Sequence, residues 1–148
     1  MPSPASTPAP PGWNGLFGAW FVATTATLGS LFFSEIMELP PCSLCWYQRI
    51  FMFPLPLLLL VGLLPFDARA ARYGLVLTAA GWAIAVWHTL LYVGILPETA
   101  APCAQGVPCG APTFELFGVL SIPALSLVAF TTIAALLLQS WHASRSQP

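Results

Sequence analysis

In Cys42-Ser-Leu-Cys45-Trp-Tyr-Gln-Arg49, two cysteines separated by two residues stand directly before a long apolar segment, 50–66. Cysteines at this spacing form either a redox-active dithiol or half of a metal site. The apolar segment that follows places the pair at a membrane surface. A second pair, Cys103 and Cys109, lies in another polar break between apolar segments. Two such pairs predict electron transfer between thiols and an acceptor dissolved in lipid.

Composition independently indicates a membrane protein. The chain is 57% hydrophobic and 6% charged, whereas about a quarter of the residues of a soluble domain are charged. A net charge of −1 with only four Lys+Arg argues against a nucleic-acid partner. Four apolar segments, at about 16–36, 46–64, 73–96 and 114–138, approach or exceed the roughly 20 residues that cross a bilayer as a helix. Because only a helix satisfies its backbone groups within one segment, the sequence predicts an all-α membrane protein with a four-transmembrane-helix bundle.

The ends of the chain are predicted to lie outside this bundle. Residues 1–14 have the Pro-, Ser- and Ala-rich composition of a disordered tail, 15–140 form the redox domain, and 141–148 form a short cytoplasmic tail. The first apolar segment is predicted to be a retained helix, because no Lys or Arg precedes it and it exceeds the length of a signal core. Pro54 and Pro56 predict a kink in the second helix.

Charge predicts the orientation. Arg69 and Arg72 lie between the second and third segments, and Arg145 follows the fourth. By the positive-inside rule these ends face the cytoplasm, which makes both termini cytoplasmic. All four cysteines then lie on the extracytoplasmic face, where disulfides persist because the environment is oxidising.

The first cysteine pair is predicted to lie at the start of the second helix. Pro40 and Pro41 cannot continue a helix from upstream, so the helix begins near 42–45. A sulfur there faces unpaired backbone N–H groups and the positive end of the helix dipole, which favour the nucleophilic thiolate. Arg49 lies one turn beyond Cys45 on the same face, and a cation just inside a bilayer usually marks function. The alternative is that Arg49 only reaches the outer lipid headgroups.

The second cysteine pair lies in a loop, 97–112, that is rich in Pro, Gly and Ala. Such a loop is suited to contact with a soluble partner. One alternative is a structural disulfide between Cys103 and Cys109. The other is a zinc site made of four cysteines, but zinc ligands usually stand two to four residues apart, and the second pair is spaced more widely. We predict no metal.

A histidine lies within the third apolar segment. His88 is roughly 12 Å from the outer end at Leu96, at a rise of 1.5 Å per residue. An ionisable group inside a membrane is a candidate functional group by default. The alternative is a structural hydrogen bond to a neighbouring helix.

These motifs resemble the disulfide bond formation protein B family (DsbB). The resemblance is carried by the block from Cys42 to Arg49, by His88-Thr-Leu-Leu in the third helix, and by Phe117-Gly118 and Ile122-Pro-Ala-Leu-Ser in the fourth. It covers most of 31–127. The close spacing of Cys103 and Cys109 is similar to that of the short members called BdbC.

The resemblance implies a protein-disulfide:quinone oxidoreductase of the bacterial cytoplasmic membrane. Such an enzyme re-oxidises a DsbA-like, thioredoxin-fold thiol oxidase outside the cytoplasm and passes electrons to ubiquinone or menaquinone. By the same resemblance, Cys103 forms the mixed disulfide with the partner and Cys109 completes the loop disulfide. Cys42 exchanges with that pair, Cys45 faces the quinone, and Arg49 and His88 hold the quinone end.

Two other functions are compatible with the motifs. An enzyme resembling vitamin K epoxide reductase also links two dithiols to a quinone, but in that family the closely spaced pair follows the loop cysteines, whereas here it precedes them. The second alternative is a non-enzymatic, metal-handling membrane protein. Its cysteines would be structural or would bind the metal.

Overall fold

The computed structural model describes residues 9–97, 115–116 and 120–146, and the regular secondary structure of these residues is helical except for one short strand pair. The strands, β1 and β2, pair antiparallel, Glu115 with Ser121 and Leu116 with Leu120. Helix α1 continues into a π-helical turn, Phe32–Ile36. The helices are α1 (Trp13–Leu31), α2 (Ser43–Met52), α3 (Pro54–Leu63), α4 (Arg69–Tyr92) and α5 (Ile122–Arg145). They supply four segments long and apolar enough to cross a membrane: Trp13–Ile36, Ser43–Leu63, Arg69–Tyr92 and Ile122–Arg145.

The second segment begins earlier than its apolar run, which the sequence places at 46–64. Cys42 has an extended backbone, and its sulfur accepts the backbone N–H of Cys45, so it caps a helix that starts at Ser43. The segment is interrupted at Phe53, directly before the first of two prolines. Proline has no backbone N–H and crowds the carbonyl four residues back, which breaks the helical ladder between α2 and α3.

The third segment is predicted at 73–96, but α4 runs from Arg69 to Tyr92. Its start is fixed by the Asp67 carboxylate, which accepts the backbone N–H of Arg69 at 2.9 Å. Its end is fixed by Gly94, which adopts a φ of 79° and donates its N–H to the carbonyl of Leu91. A left-handed residue just after the last turn closes a helix, and glycine adopts that conformation without strain.

The fourth segment differs most from the prediction of 114–138. Glu115 and Leu116 lie in β1, and α5 begins at Ile122 because Ser121 is extended and Pro123 occupies the first helical turn. The helix then continues to Arg145, so the tail predicted at 141–148 is helical over most of its length. At the other end of the chain, residues 13–14 belong to α1 rather than to the predicted tail, while residues 1–8 lie outside the described part.

The bundle is tightly packed at the end that carries the start of α1 and the end of α5. Ser140 Oγ donates a hydrogen bond of 2.7 Å to the carbonyl of Gly12. A Cβ atom on Gly15 would lie 2.8 Å from the carbonyl oxygen of Leu136, so only glycine permits this approach. The opposite end carries the start of α2, the end of α4 and the start of α5. The polar residues of the second segment lie near this end.

Candidate redox site

Cys42 and Cys45 are free thiols at the start of α2, Cys42 as its N-cap and Cys45 in its first turn. Their sulfur atoms lie 3.0 Å apart, within hydrogen-bonding distance. The Sγ atom of Cys42 also accepts the backbone N–H of Cys45 at 3.4 Å. Cys42 is buried and Cys45 is half-buried. Because Cys42 is the N-cap, its sulfur, rather than that of Cys45, is the one that the helix terminus stabilises in the negative form.

The electrostatics agree with that assignment. The pKa of the Cys42 thiol is lowered to about 4, chiefly by its hydrogen bond with the Cys45 side chain. Burial opposes the shift, and the nearby His88 ring and the backbone N–H of Cys45 add to it. In the reduced pair, Cys42 is therefore a thiolate at neutral pH. The thiolate is the form that attacks disulfides and the form that leaves readily when a disulfide is resolved.

His88 reaches the pair from α4. Its Nε2 atom lies 3.7 Å from Sγ of Cys42, and its Nδ1 atom lies 3.2 Å from Nε2 of Gln48. His88 and Gln48 are both buried, with 2% and 7% of their surfaces exposed. Because α4 ends at Tyr92, His88 is only about 6 Å from the end of its helix, at 1.5 Å per residue. This is half the depth that the apolar run predicts.

Arg49 projects from α2 toward α1. Its guanidinium donates a hydrogen bond of 2.8 Å to the carbonyl of Ser30, two residues before the π-helical turn. The guanidinium carbon lies 5.3 Å from the Trp46 ring centroid and 6.0 Å from that of Phe53. Within residues 9–97 and 120–146, its contacts are with a carbonyl and aromatic rings rather than with a carboxylate. These contacts do not neutralise the charge of the half-buried guanidinium, so it can attract a ligand that carries negative charge.

A cavity of about 530 Å³ adjoins these groups. Its lining is largely apolar and comes from α1, from the start of α2 and from the first half of α5. Its polar lining includes Cys45, Gln48, Arg49, His88 and Ser30. Lipid-facing residues such as Phe21 and Val128, which are 59% and 58% exposed, also line it. The cavity therefore joins the thiol pair to the lipid side of the bundle.

The three potential metal ligands of this site are close together. The ligand atoms of Cys42, Cys45 and His88 lie within 4.8 Å of one another. Two thiolates and an imidazole are a donor set that zinc accepts. A zinc site also requires the Nε2 lone pair of His88 to point at the ion, and the partner of Nδ1 decides whether it can.

Comparison with known proteins identifies the family of this chain. The family model described as "Disulfide bond formation protein DsbB" matches residues 14–139. The chain belongs to the DsbB family. It is 47% identical over 134 residues to a probable disulfide formation protein of Metapseudomonas resinovorans, which covers 88% of this chain and 93% of that protein. No solved structure matched the chain.

Relatives from Bacillus confirm the resemblance to the short BdbC-like members. Disulfide bond formation protein C of Bacillus subtilis (strain 168) is 42% identical over 118 residues, or 80% of this chain and 86% of that protein. A probable disulfide formation protein C 1 of Bacillus anthracis is 44% identical over 120 residues, with the same coverage. This DsbB-family chain is thus a membrane protein of disulfide bond formation, in a family of oxidoreductases.

The structure brings together four of the six site residues predicted from this DsbB-family sequence: Cys42, Cys45, Arg49 and His88. The other two, Cys103 and Cys109, lie outside the described residues. The prediction did not include Gln48 or the Ser30 carbonyl. Gln48 could have been noticed as a neutral polar residue within a membrane-length helix, beside an arginine. The Ser30 carbonyl could not be predicted, because every residue has a backbone carbonyl and the sequence does not distinguish this one.

Proposed function

We propose that this protein re-oxidises a DsbA-like thiol oxidase on the extracytoplasmic side of the bacterial cytoplasmic membrane and passes the electrons to a membrane quinone. The observation that carries the proposal is the thiol pair opening into a lipid-facing apolar cavity beside the guanidinium of Arg49. Family membership supports the thiol–disulfide chemistry. The cavity supports an acceptor that arrives from the lipid.

The residues present fit a quinone, either ubiquinone or menaquinone. The cavity is apolar along most of its lining and also includes the polar side chains of Gln48, Arg49 and His88, which suits a ring with carbonyl oxygens and an apolar tail. Arg49 and His88 would hold the quinone end. When bound, the quinone accepts two electrons and two protons and leaves as the quinol.

The protein's own sulfurs would act in sequence. The partner's dithiol would reduce the Cys103–Cys109 disulfide through a mixed disulfide at Cys103. A loop thiolate then attacks Cys42 in the Cys42–Cys45 disulfide, and the Cys45 thiolate leaves. The other loop sulfur attacks the mixed disulfide, which releases the Cys42 thiolate and restores the loop disulfide. Re-forming the Cys42–Cys45 bond releases two electrons and two protons, with Cys45 facing the acceptor.

The orientation proposed is the one that charge predicts. Arg69, Arg72 and Arg145 lie in α4 and α5 at the end of the bundle opposite Cys42 and Cys45. With those arginines in the cytoplasm, the first pair, and the loop between α4 and α5, lie outside.

A thiol count on the purified protein tests the proposal. The protein is reduced and freed of reductant, and free thiols are titrated under argon before and after a short-chain quinone is added. A variant with Cys103→Ser and Cys109→Ser should lose two thiols per chain as one quinol forms. Cys45→Ser in that background should lose none, although its helices still insert and fold. If Cys45→Ser turned over quinone, the proposed route of the electrons would be wrong.

The same assay examines the metal-handling alternative, which is favoured by the proximity of Cys42, Cys45 and His88. A metal-handling protein would keep its thiols in the presence of quinone. It would lose them only to added zinc, with release of protons.

A further inference from the structure

The partner of His88 Nδ1 determines where the imidazole carries its proton. The Nε2 atom of Gln48 lies 3.2 Å from that nitrogen. An amide nitrogen donates hydrogen bonds and does not accept them. Nδ1 must therefore present its lone pair to Gln48, and the one proton of the neutral ring is on Nε2.

The protonated nitrogen faces the redox pair. Nε2 of His88 lies 3.7 Å from Sγ of Cys42, within the range of a hydrogen bond to sulfur. With the proton on Nε2, the ring donates to a negative sulfur. In the opposite tautomer, Nε2 would turn a lone pair toward the same sulfur. That lone pair would repel the negative charge of the sulfur, and it would also make the ring a potential metal ligand.

We propose that Gln48 is a positioning residue that fixes the tautomer of His88, so that its Nε2–H donates to the Cys42 sulfur and disfavours metal capture. This rests on the proposed function, in which the Cys42 thiolate is released when the loop pair resolves the mixed disulfide. A better stabilised thiolate is a better leaving group. Gln48 would then govern a step that it does not touch.

The surroundings of His88 leave few other groups that could set its tautomer. The titratable or charged groups that line the cavity with His88 are Cys42, Cys45 and Arg49 at the start of the second segment, with Tyr92 one turn along α4. The described residues of α1 and α5 that line the same cavity are apolar, or carry hydroxyl groups that do not titrate near neutral pH.

Nitrogen NMR of the full chain in detergent tests the tautomer directly. The chain has two histidines, so His142→Gln leaves a single labelled ring. In this background Nδ1 should give the signal of an unprotonated nitrogen and Nε2 that of a protonated one. Gln48→Met, which keeps the length of the side chain but has no amide, should give a mixture of the two forms. A wild-type ring protonated on Nδ1, or a spectrum unchanged by Gln48→Met, would overturn the proposal.

The ultraviolet absorbance of the thiolate tests the consequence for the pair. In a Cys103→Ser, Cys109→Ser background, reduced protein reports only the first pair. Gln48→Met should raise the midpoint of thiolate formation by about one pH unit, a tenfold loss in the ionisation constant. The matched control is Gln139→Met, at an exposed glutamine on α5, which should leave the midpoint unchanged. An unchanged midpoint in Gln48→Met would overturn the proposed role.

A double-mutant cycle separates positioning from a structural role. In a His88→Leu background, Gln48→Met should have no further effect on the midpoint, because the residue would act only through the ring. An equal shift with and without His88 would show that Gln48 acts on the pair by another route and would refute the proposal. None of these measurements uses quinone or partner, so they can fail while the proposed function stands, and the reverse also holds.

Discussion

Removing the positive charge of Arg49 is expected to weaken the use of quinone more than any other step. The guanidinium is held by the Ser30 carbonyl at 2.8 Å and by two aromatic rings, so its position does not depend on a ligand. A hydrogen bond to a charged group contributes about 1.5–3 kcal/mol. At about 1.4 kcal/mol for each factor of ten, Arg49→Gln should raise the half-saturating quinone concentration roughly ten- to a hundredfold. Arg49→Lys should recover part of this loss, because an ammonium keeps the charge but lacks the planar fork.

The assay is steady-state kinetics with quinone varied at a fixed concentration of reduced partner. Arg72→Gln is the matched control, since Arg72 is exposed at the opposite end of the bundle. Because Arg49 also links α2 to α1, thermal unfolding of each variant is recorded as well. A quinone dependence that is the same in Arg49→Gln and in Arg72→Gln would reduce Arg49 to a packing residue and refute the reasoning.

Three further predictions concern the thiols and the packing. Since the pKa of Cys42 is lowered to about 4, its thiolate persists as the pH falls. The rate of Cys42 alkylation in the reduced protein should therefore stay level from pH 8 to about pH 5 before it declines. Mass spectrometry of the labelled peptide measures this rate. A membrane-impermeant thiol reagent applied to intact cells should label reduced Cys103, because the loop is predicted to lie outside. A Cβ atom on Gly81 would collide with the ring of Phe130, which has no exposed surface, so Gly81→Ala should lower the free energy of unfolding by about 1–3 kcal/mol in detergent.

Each of these has a contrary outcome. An alkylation rate that falls steadily below pH 8 would mean that Cys42 is an ordinary thiol. Labelling of Cys103 only after the membrane is breached would reverse the orientation and remove the proposed function with it. Gly29→Ala is the packing control, because nothing lies within 4 Å of its added Cβ; equal destabilisation by both substitutions would contradict the argument from Phe130.

The number and type of helices could be predicted because membrane-length apolar runs have few alternatives. The boundaries could not, because hydropathy does not distinguish a helix from a short strand pair. The run that begins near residue 114 is as apolar as the helix that follows, yet the helix begins only after the extended Ser121, with Pro123 in its first turn. In α4, one glycine beyond the last turn ended the helix four residues before its apolar run.

The candidate site was predictable where its residues are close in sequence. Arg49 follows Cys45 by one turn, and helical periodicity alone puts them on one face. The contact of Gln48 with His88 joins residues that are 40 positions apart. It depends on the rotation of α4 against α2, where Leu44 and Leu91 pack in one buried cluster, and it cannot be read from either helix alone.

The place of the redox groups along the bundle has an energetic consequence for the cell. Cys42 caps α2, His88 is one turn from the end of α4, and Arg49 is seven residues into the second segment, so all lie within about 10 Å of the same end at 1.5 Å per residue. Electrons and protons from the thiols would thus reach the acceptor on one side of the membrane, and no net charge would cross the bilayer. We expect the turnover rate to be independent of the transmembrane voltage, because no charge moves through the field and no electrical work is done. Proteoliposomes clamped at different potassium diffusion potentials would measure this, and a voltage-dependent rate would place the acceptor deeper than these residues.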